Sequence, residues 1–314
     1  MTSLESREPM VTLENLTRRF GDAAALDGLS FAVGRGELFG IVGPDGSGKT
    51  TLLRILAGVL PPTSGDATVA GVSVRKDPEG VKHRIAYMSQ RFGLYADLTV
   101  RENIDFYAAL YQVPRREVKG RLERLYEFSR LGPFADRLAG QLSGGMKQKL
   151  SLCCALVHEP EVLLLDEPTF GVDPISRRDL WLIVHEMVGR GMTAVVSTAY
   201  LDEAERCDRV ALLQRGMLAG LDTPLALMTL LAGRALSFQT DDSRIAARVL
   251  KGHPLVRSAA AFGGELHVTT QKEGAEPVLT AVLREAGLRV DAVRPLTASL
   301  EDVFIDLTSA PHAA

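Results

Sequence analysis

The run Gly43-Pro44-Asp45-Gly46-Ser47-Gly48-Lys49-Thr50 places three glycines, an ammonium and two hydroxyls within eight residues. Glycines let the backbone turn its N–H groups inward around phosphates, and a helix N-terminus adds positive potential. In such a loop Lys49 reaches the β- and γ-phosphates of a nucleotide and Thr50 offers its hydroxyl to Mg²⁺. The pattern G-x-x-x-x-G-K-[ST] carries this meaning between a strand and a helix. Here it follows the apolar stretch Glu37–Val42 and opens a helical run, Lys49–Ala57, so Thr51 joins the cofactor-binding residues. A second group is Val162-Leu163-Leu164-Leu165-Asp166-Glu167: four apolar residues for a buried strand, then two acids where the strand emerges. Asp166 is placed to hold Mg²⁺, directly or through water, and Glu167 to polarise an attacking water. A third is Leu142-Ser143-Gly144-Gly145-Met146, where a small hydroxyl residue and two glycines open a helix and form a second anion site. One chain with two phosphate cradles suggests ATP shared between two subunits.

The elements that must position these groups follow from the hydrophobic pattern. Short strands are expected at Val11–Leu16, Leu29–Val33, Glu37–Val42 and Ile85–Ser89. Helical spacing marks Val100–Tyr111 and Arg116–Phe128, with Pro114 between them. From Leu142 the order is loop, helix (Met146–Val157), strand (Val162–Leu165), helix (Ile175–Val188) and strand (Thr193–Ser197). Alternating strands and helices predict an α/β fold with a largely parallel sheet covered on both faces, and a helical block as an insertion. After about residue 222 the pattern changes. A strand at 235–240, a helix at 243–251, a hairpin over 256–270 turning at Gly263-Gly264, a helix at 275–286, a strand at 288–294 and a final helix at 298–308 predict a small ferredoxin-like α+β domain.

The whole chain has 314 residues, a formal net charge of −3 and 46% hydrophobic residues, enough for a sizeable core and one large or two moderate domains. A near-neutral balance does not point to nucleic acid as a partner. The basic stretch 115–124 alternates acids and leucines at helical spacing, which reads as a solvated helix face. Cys153, Cys154 and Cys207 lack metal-site spacing and read as buried thiols in a reducing compartment. There is no uncharged apolar stretch of membrane-spanning length, and the polar start MTSLESREPM lacks a signal peptide's apolar core. A cytoplasmic protein is expected, acting on membranes only through a partner.

LSGGMKQKL at 142–150 followed by VLLLDEPTFGVDP from 162 resembles the signature and Walker B segments of ABC (ATP-binding cassette) ATPases, and Gly43–Thr50 resembles their Walker A loop. The resemblance runs over roughly residues 10–220. It implies a P-loop NTPase core of the ABC type over 8–222, a helical subdomain at about 92–142, and an accessory domain over 233–314. It also implies a head-to-tail dimer, with itself or with a second ABC cassette, in which Ser143, Gly144 and Gly145 contact the γ-phosphate of ATP held by the partner's P-loop. Phe20 resembles the aromatic that stacks on adenine, although the bare residue reads equally as core. Gln90 resembles the glutamine that contacts Mg²⁺ and the attacking water and links the site to the membrane partner; alone it is a polar strand end. Asp173 resembles the aspartate acting across the dimer interface; alone it is a turn residue before Pro174. The segment from Tyr87 to Tyr111 and the close SLEDVF at 299–304 resemble the ABC-2, daunorubicin-resistance class of exporter ATPases, and STAYLDEAE and PISRRDLW resemble the first cassette of bacterial YbhF-type exporters. That class implies multidrug export through a separate ABC-2-type transmembrane permease, with the chain peripheral on the inner face of the cell membrane. Those exporters carry two cassettes and this chain has one P-loop, so the second lies on another polypeptide or in a longer chain. The competing class is a soluble ABC ATPase acting on ribosomes or nucleic acid. It often carries paired cassettes or long basic or coiled-coil inserts, and this sequence has neither.

One position departs from the pattern. The family's switch histidine follows a strand in S-T-H-x-x-[DE]-E-A-E, and the register of Ser197-Thr198-Ala199-Tyr200 puts Ala199 in its place. A methyl group neither donates nor accepts a hydrogen bond. The expectation is a slow or degenerate site, since losing one such contact costs roughly 100- to 1000-fold in rate. Ala199→His is therefore expected to raise kcat in the assembled transporter; unchanged turnover counts against this reading.

Overall fold

Three short strands buried along their whole length, Leu38–Val42, Val162–Asp166 and Thr193–Thr198, form the centre of the larger part of the molecule. Strands covered on both faces have this unbroken apolar character, which is why alternation gave no signal for them. The structure is a computed structural model describing residues 8–90 and 93–309. The expected polar start at 1–7, the first residue of the 92–142 segment and the last five residues of 233–314 lie outside the described residues.

In chain order the elements are β1 (Pro9–Phe20), β2 (Ala23–Gly34), β3 (Leu38–Val42), α1 (Lys49–Leu56), β4 (Ser64–Val69), β5 (Val72–Ser73), α2 (Pro78–Lys82) and β6 (Ile85–Met88). Next come α3 (Val100–Leu110), α4 (Arg115–Ser129), α5 (Gly144–Leu156), β7 (Val162–Asp166), α6 (Pro174–Gly189) and β8 (Thr193–Thr198). Strands β3, β8, β7 and β6 lie side by side in that order, all parallel, so their C-terminal ends open at one edge. A second, antiparallel sheet runs β2-β1-β4-β5.

Strands β1 and β2 have 12 residues each, about twice the expected lengths. Their pairing shifts register between Leu13 and Leu16 and again between Leu16 and Arg18, with Asn15 at φ 48°. Bulges break the period-2 alternation on which strand length is read. The helical insertion holds α3, closed by a reciprocal Thr99–Glu102 capping box, and α4. Helix α5 begins two residues before the expected Met146, because Ser143 caps it.

The described residues form two compact units. The first holds those up to Tyr200 together with Leu213–Leu218; the second holds Leu201–Leu212 and those from Ala219 to 309. The remaining elements are α7 (Leu201–Ala204), β9 (Arg209–Gln214), β10 (Met217–Asp222), α8 (Pro224–Thr229), β11 (Ala235–Thr240), α9 (Ser243–Leu250), β12 (Val256–Phe262), β13 (Glu265–Thr270), α10 (Glu276–Glu285), β14 (Val290–Pro295) and α11 (Leu300–Ser309). Strands β9 and β10 straddle the division. In the second unit the sheet order is β12-β13-β11-β14, all antiparallel, which is the ferredoxin-like βαββαβ arrangement. Its core joins Phe238, Leu266 and Val268 from the sheet to Leu250, Leu279 and Leu283 from α9 and α10. Helix α11 is tied to the sheet by Asp302 Oδ1 at 3.0 Å from His267 Nδ1 and by an Arg257–Asp306 ion pair at 3.0 Å.

The three cysteines are buried and free, and burial pushes the Cys153 thiol up to about 11. Among the described residues no helix is long and apolar enough to cross a membrane. Phe238 is fully buried, so Phe238→Ala should destabilise the second unit by about 3–5 kcal/mol, read as an earlier unfolding transition in urea.

Candidate functional site

The loop between β3 and α1 is fixed by close backbone approach. Gly48 caps α1 with φ 107° and no side-chain cap, and a Cβ there would lie 2.6 Å from the Ala25 carbonyl oxygen and 2.7 Å from Leu26 Cδ2. Only glycine tolerates both the left-handed backbone and the contact. Pro44, Asp45 and Gly46 are exposed, while Gly43 and Ser47 are buried, and Ser47 Oγ has no hydrogen-bond partner. An orphaned hydroxyl at the loop's centre is a ready donor to an anion.

Lys49 is 4% exposed and donates from Nζ to the carbonyls of Gly43 (2.7 Å) and Pro44 (3.2 Å). The same ammonium forms an ion pair with Glu167 Oε1 at 3.1 Å. Gln90 Nε2 donates to Glu167 Oε2 at 3.3 Å. Glu167 sits at φ 48°, and its N–H is shared between the Ser197 carbonyl (3.1 Å) and Ser197 Oγ (3.0 Å). Holding a non-glycine residue there stores strain of order 1–3 kcal/mol, repaid by those bonds.

Asp166, 1% exposed, accepts from three hydroxyls: Thr50 Oγ1 at 3.0 Å, Ser197 Oγ at 2.7 Å and Tyr87 at 3.3 Å. Burial first, then the Asp166 charge, push the Tyr87 phenol up to about 12, so it stays a neutral donor at physiological pH. Asp45, Gly46, Gly48, Lys49, Thr50, Thr51, Gln90, Glu167 and Phe170 line one cavity of about 360 Å³. The structure thus gathers the first two groups of residues at the C-terminal ends of β3, β6 and β7. Ligands of open parallel sheets bind at this edge.

Tyr87, Ser197 and Phe170 carry no motif that marks them in the sequence. Strand register brings the first two to Asp166. Asp166 pairs with Ser197 and Tyr87 pairs with Leu164, so period-2 alternation puts Tyr87 and Asp166 on one face. Phe170, 57% exposed beside the cavity, gave no signal beyond its type.

Ser143, Gly144 and Gly145 form a separate group. Ser143 Oγ accepts from Met146 N at 3.3 Å and caps α5. Asp173 caps α6, accepting from Ile175 N (3.1 Å) and Ser176 N (3.0 Å), and its bonds with Ser176 hold the carboxyl below its ordinary value. The two caps meet: a Cβ on Gly145 would collide with the Ser176 side chain and lie 3.2 Å from Asp173 Oδ2. Phe20 is 51% exposed at the end of β1, with the Arg18 guanidinium 4.5 Å over its ring. Ala199 is exposed just past β8. His158 stacks on Tyr111 and His185 lies beside Trp181; neither lines the cavity.

Mg²⁺ fits the donors present. The cation keeps several waters and binds through one or two carboxylates plus substrate phosphates. Asp166 and Thr50 offer that partial set, and no cluster of three or more His, Cys, Asp or Glu able to hold a metal occurs among the described residues.

The family model for the ABC transporter matches residues 26–170. The probable multidrug ABC transporter ATP-binding protein YbhF of Escherichia coli K12 is 45% identical over 305 residues, covering 96% of this chain and 52% of its own length. The chain therefore spans about half of that relative. The daunorubicin resistance ATP-binding protein DrrA2 of Streptomyces coeruleorubidus is 34% identical, covering 95% of this chain and 94% of its own. Among solved structures, the ATP-binding cassette MJ0796, a dimer in a post-hydrolysis state bound to ADP and Pi, superposes with a TM-score of 0.62 at 26% identity, covering 68% of this chain and 98% of its own.

Ser197→Ala leaves the buried Asp166 carboxylate one donor short. It should lower stability by about 1–3 kcal/mol in chemical denaturation, with Ser197→Thr retaining most of it.

Proposed function

The chain belongs to the ABC transporter family of ATP-binding cassettes, and we propose that it is the ATP-hydrolysing engine of an exporter, coupling Mg-ATP-driven pairing of cassettes and hydrolysis to transport through a separate ABC-2-type permease. The observation that carries the reading is the Lys49–Glu167 pair beside the hydroxyl-bound Asp166 at one sheet edge. Lys49 would leave its carbonyl and carboxylate partners for the β- and γ-phosphates, and the backbone of Gly43–Gly48 would cradle them with Thr51 beside it. Thr50 and Asp166 would hold Mg²⁺, which supplies charge neutralisation at the phosphates, with Gln90 at the same cation. Glu167, released from Lys49, would orient and deprotonate the attacking water, with Gln90 holding its second oxygen. Phe20 would stack on adenine.

A head-to-tail partner, this chain or a second cassette, would bring its own Ser143–Gly145 to the γ-phosphate and its own Asp173 to the interface. The helix N-terminus capped by Ser143 supports that anion-facing role. Export is supported by the names of the multidrug and daunorubicin-resistance relatives, and a permease partner and a position on the cytoplasmic face of the membrane complete the proposal. We assign the ATPase role to 8–222 and an accessory role to 233–314. Ala199 favours a second reading, a slow or degenerate site paired with a fully equipped cassette.

The decisive test is Mg-ATP hydrolysis by the chain assembled with its permease, beside Glu167→Gln. Glu167→Gln keeps the shape and removes the base, so kcat should fall roughly 100- to 1000-fold while ATP binding and pairing persist. Equal turnover by wild type and variant would remove Glu167 from the reaction.

A further inference from the structure

The last residues of β8 and the loop after it touch each part of the site in turn. Ser197 holds Asp166 and the Glu167 N–H. The Thr198 carbonyl accepts from Gly43 N at 3.4 Å, tying the strand end to the start of the phosphate loop. Ala199 has only its methyl group. Tyr200, 36% exposed, turns back on Thr198 Oγ1 through its N–H (3.0 Å) and lays its ring under the Arg177 guanidinium, whose carbon stands 4.4 Å from the ring centroid. Arg177 is in α6, and its own N–H donates to the Asp173 carbonyl at 2.9 Å. Asp173 and Ser176, the cap and first turn of that helix, are the groups packed on Gly145. An unbroken physical path therefore runs from Gly43 through β8, Tyr200, Arg177 and the cap of α6 to Gly145. Every link but one is backbone, a hydrogen bond or close packing. The exception is the Tyr200–Arg177 contact, a ring under a cation.

We propose that Arg177 and Tyr200 are a positioning pair that couples the phosphate-loop end of the chain to its Ser143–Gly145 end. The inference rests on the ATPase reading above. In a head-to-tail pair these ends face two different nucleotides, so the contact makes each nucleotide's state felt at the other. A coupling between sites needs an element that both sites can bias, and α6, with Arg177 against Tyr200 and its cap against Gly145, touches both ends. With a methyl group at 199, the ring–cation contact of the next residue, Tyr200, joins the loop after β8 to α6.

The test is steady-state Mg-ATP hydrolysis by the assembled transporter carrying Tyr200→Ala, Tyr200→Phe, Arg177→Ala, Arg177→Lys or both alanines. Each alanine variant should lower kcat about 5- to 30-fold with KM changed less than about twofold. The double variant should be no worse than either single one. Tyr200→Phe keeps the ring and should retain at least half the wild-type kcat; Arg177→Lys should fall between wild type and alanine. Additive losses, an effect confined to KM, or equal damage from phenylalanine and alanine would overturn the pair. A wild type no faster than Glu167→Gln would instead sink the ATPase reading. A second readout then decides the coupling without turnover. Trp181, the one tryptophan of the sequence, lies buried on α6 one turn beyond Arg177. Mg-ATP should shift its emission in wild type and in Tyr200→Phe but not in Tyr200→Ala. An equal shift in all three refutes the pair.

Discussion

A carboxylate almost sealed from water is the constraint on which the rest of the site depends. Asp166 keeps its place in a buried sheet because three hydroxyls surround it, and each comes from a different element: Thr50 from α1, Tyr87 from β6 and Ser197 from β8. An ionised carboxylate without such donors would be too costly to bury. The donors can meet only if β6, β7 and β8 are parallel, adjacent and in this register. The requirement to satisfy one anion thereby aligns the strand ends that also present Glu167 and the phosphate loop. A one-residue slip of β7 would turn Asp166 to the other face and leave three hydroxyls aimed at leucine.

Much of this was legible in the sequence, for a physical reason. The phosphate loop, the acid pair and the Ser143–Gly145 cap are local devices whose chemistry is complete within six to eight residues, so spacing suffices to find them. The ferredoxin-like unit was legible too, because apolar and polar residues alternate along strands such as Leu236-Ser237-Phe238-Gln239 and Leu266-His267-Val268 and its hairpin turns at Gly263-Gly264. The unread part is what depends on distant partners. Tyr87 and Ser197 are ordinary strand residues until register sets them beside Asp166. Asp173 reads as a turn residue, and packing against Gly145 is invisible at a separation of 28 positions along the chain. The bulged β1 and β2 fail for the opposite reason, since the local signal is present but interrupted.

The second unit meets a comparable electrostatic requirement with different chemistry. Asp302 and Asp306, one turn apart on α11, are both buried, and the sheet supplies His267 and Arg257 to meet them. Asp302 also caps its own helix by bonding with Ser299, so one carboxylate starts the helix and fastens it. Burial raises the Asp306 carboxyl above its ordinary value while Arg257 opposes the shift. The SLEDVF opening of the helix is thus a structural pattern as much as a family resemblance. Of its two acids Asp302 faces the sheet while Glu301 is exposed, and Val303 next to Asp302 is buried.

The left-handed backbone at Glu167 shapes how such a chain can decay over evolutionary time. From a glutamate codon, aspartate, glycine and glutamine are each one base change away, and glycine and aspartate are at ease at positive φ. Valine is also one change away, but its branched side chain is strained there. Drift at this position therefore passes more readily toward folded, nucleotide-competent, chemically quiet copies than toward misfolded ones. After a duplication, a silent cassette can persist beside an active sister, its stability hardly tested by selection, and be kept for what it binds.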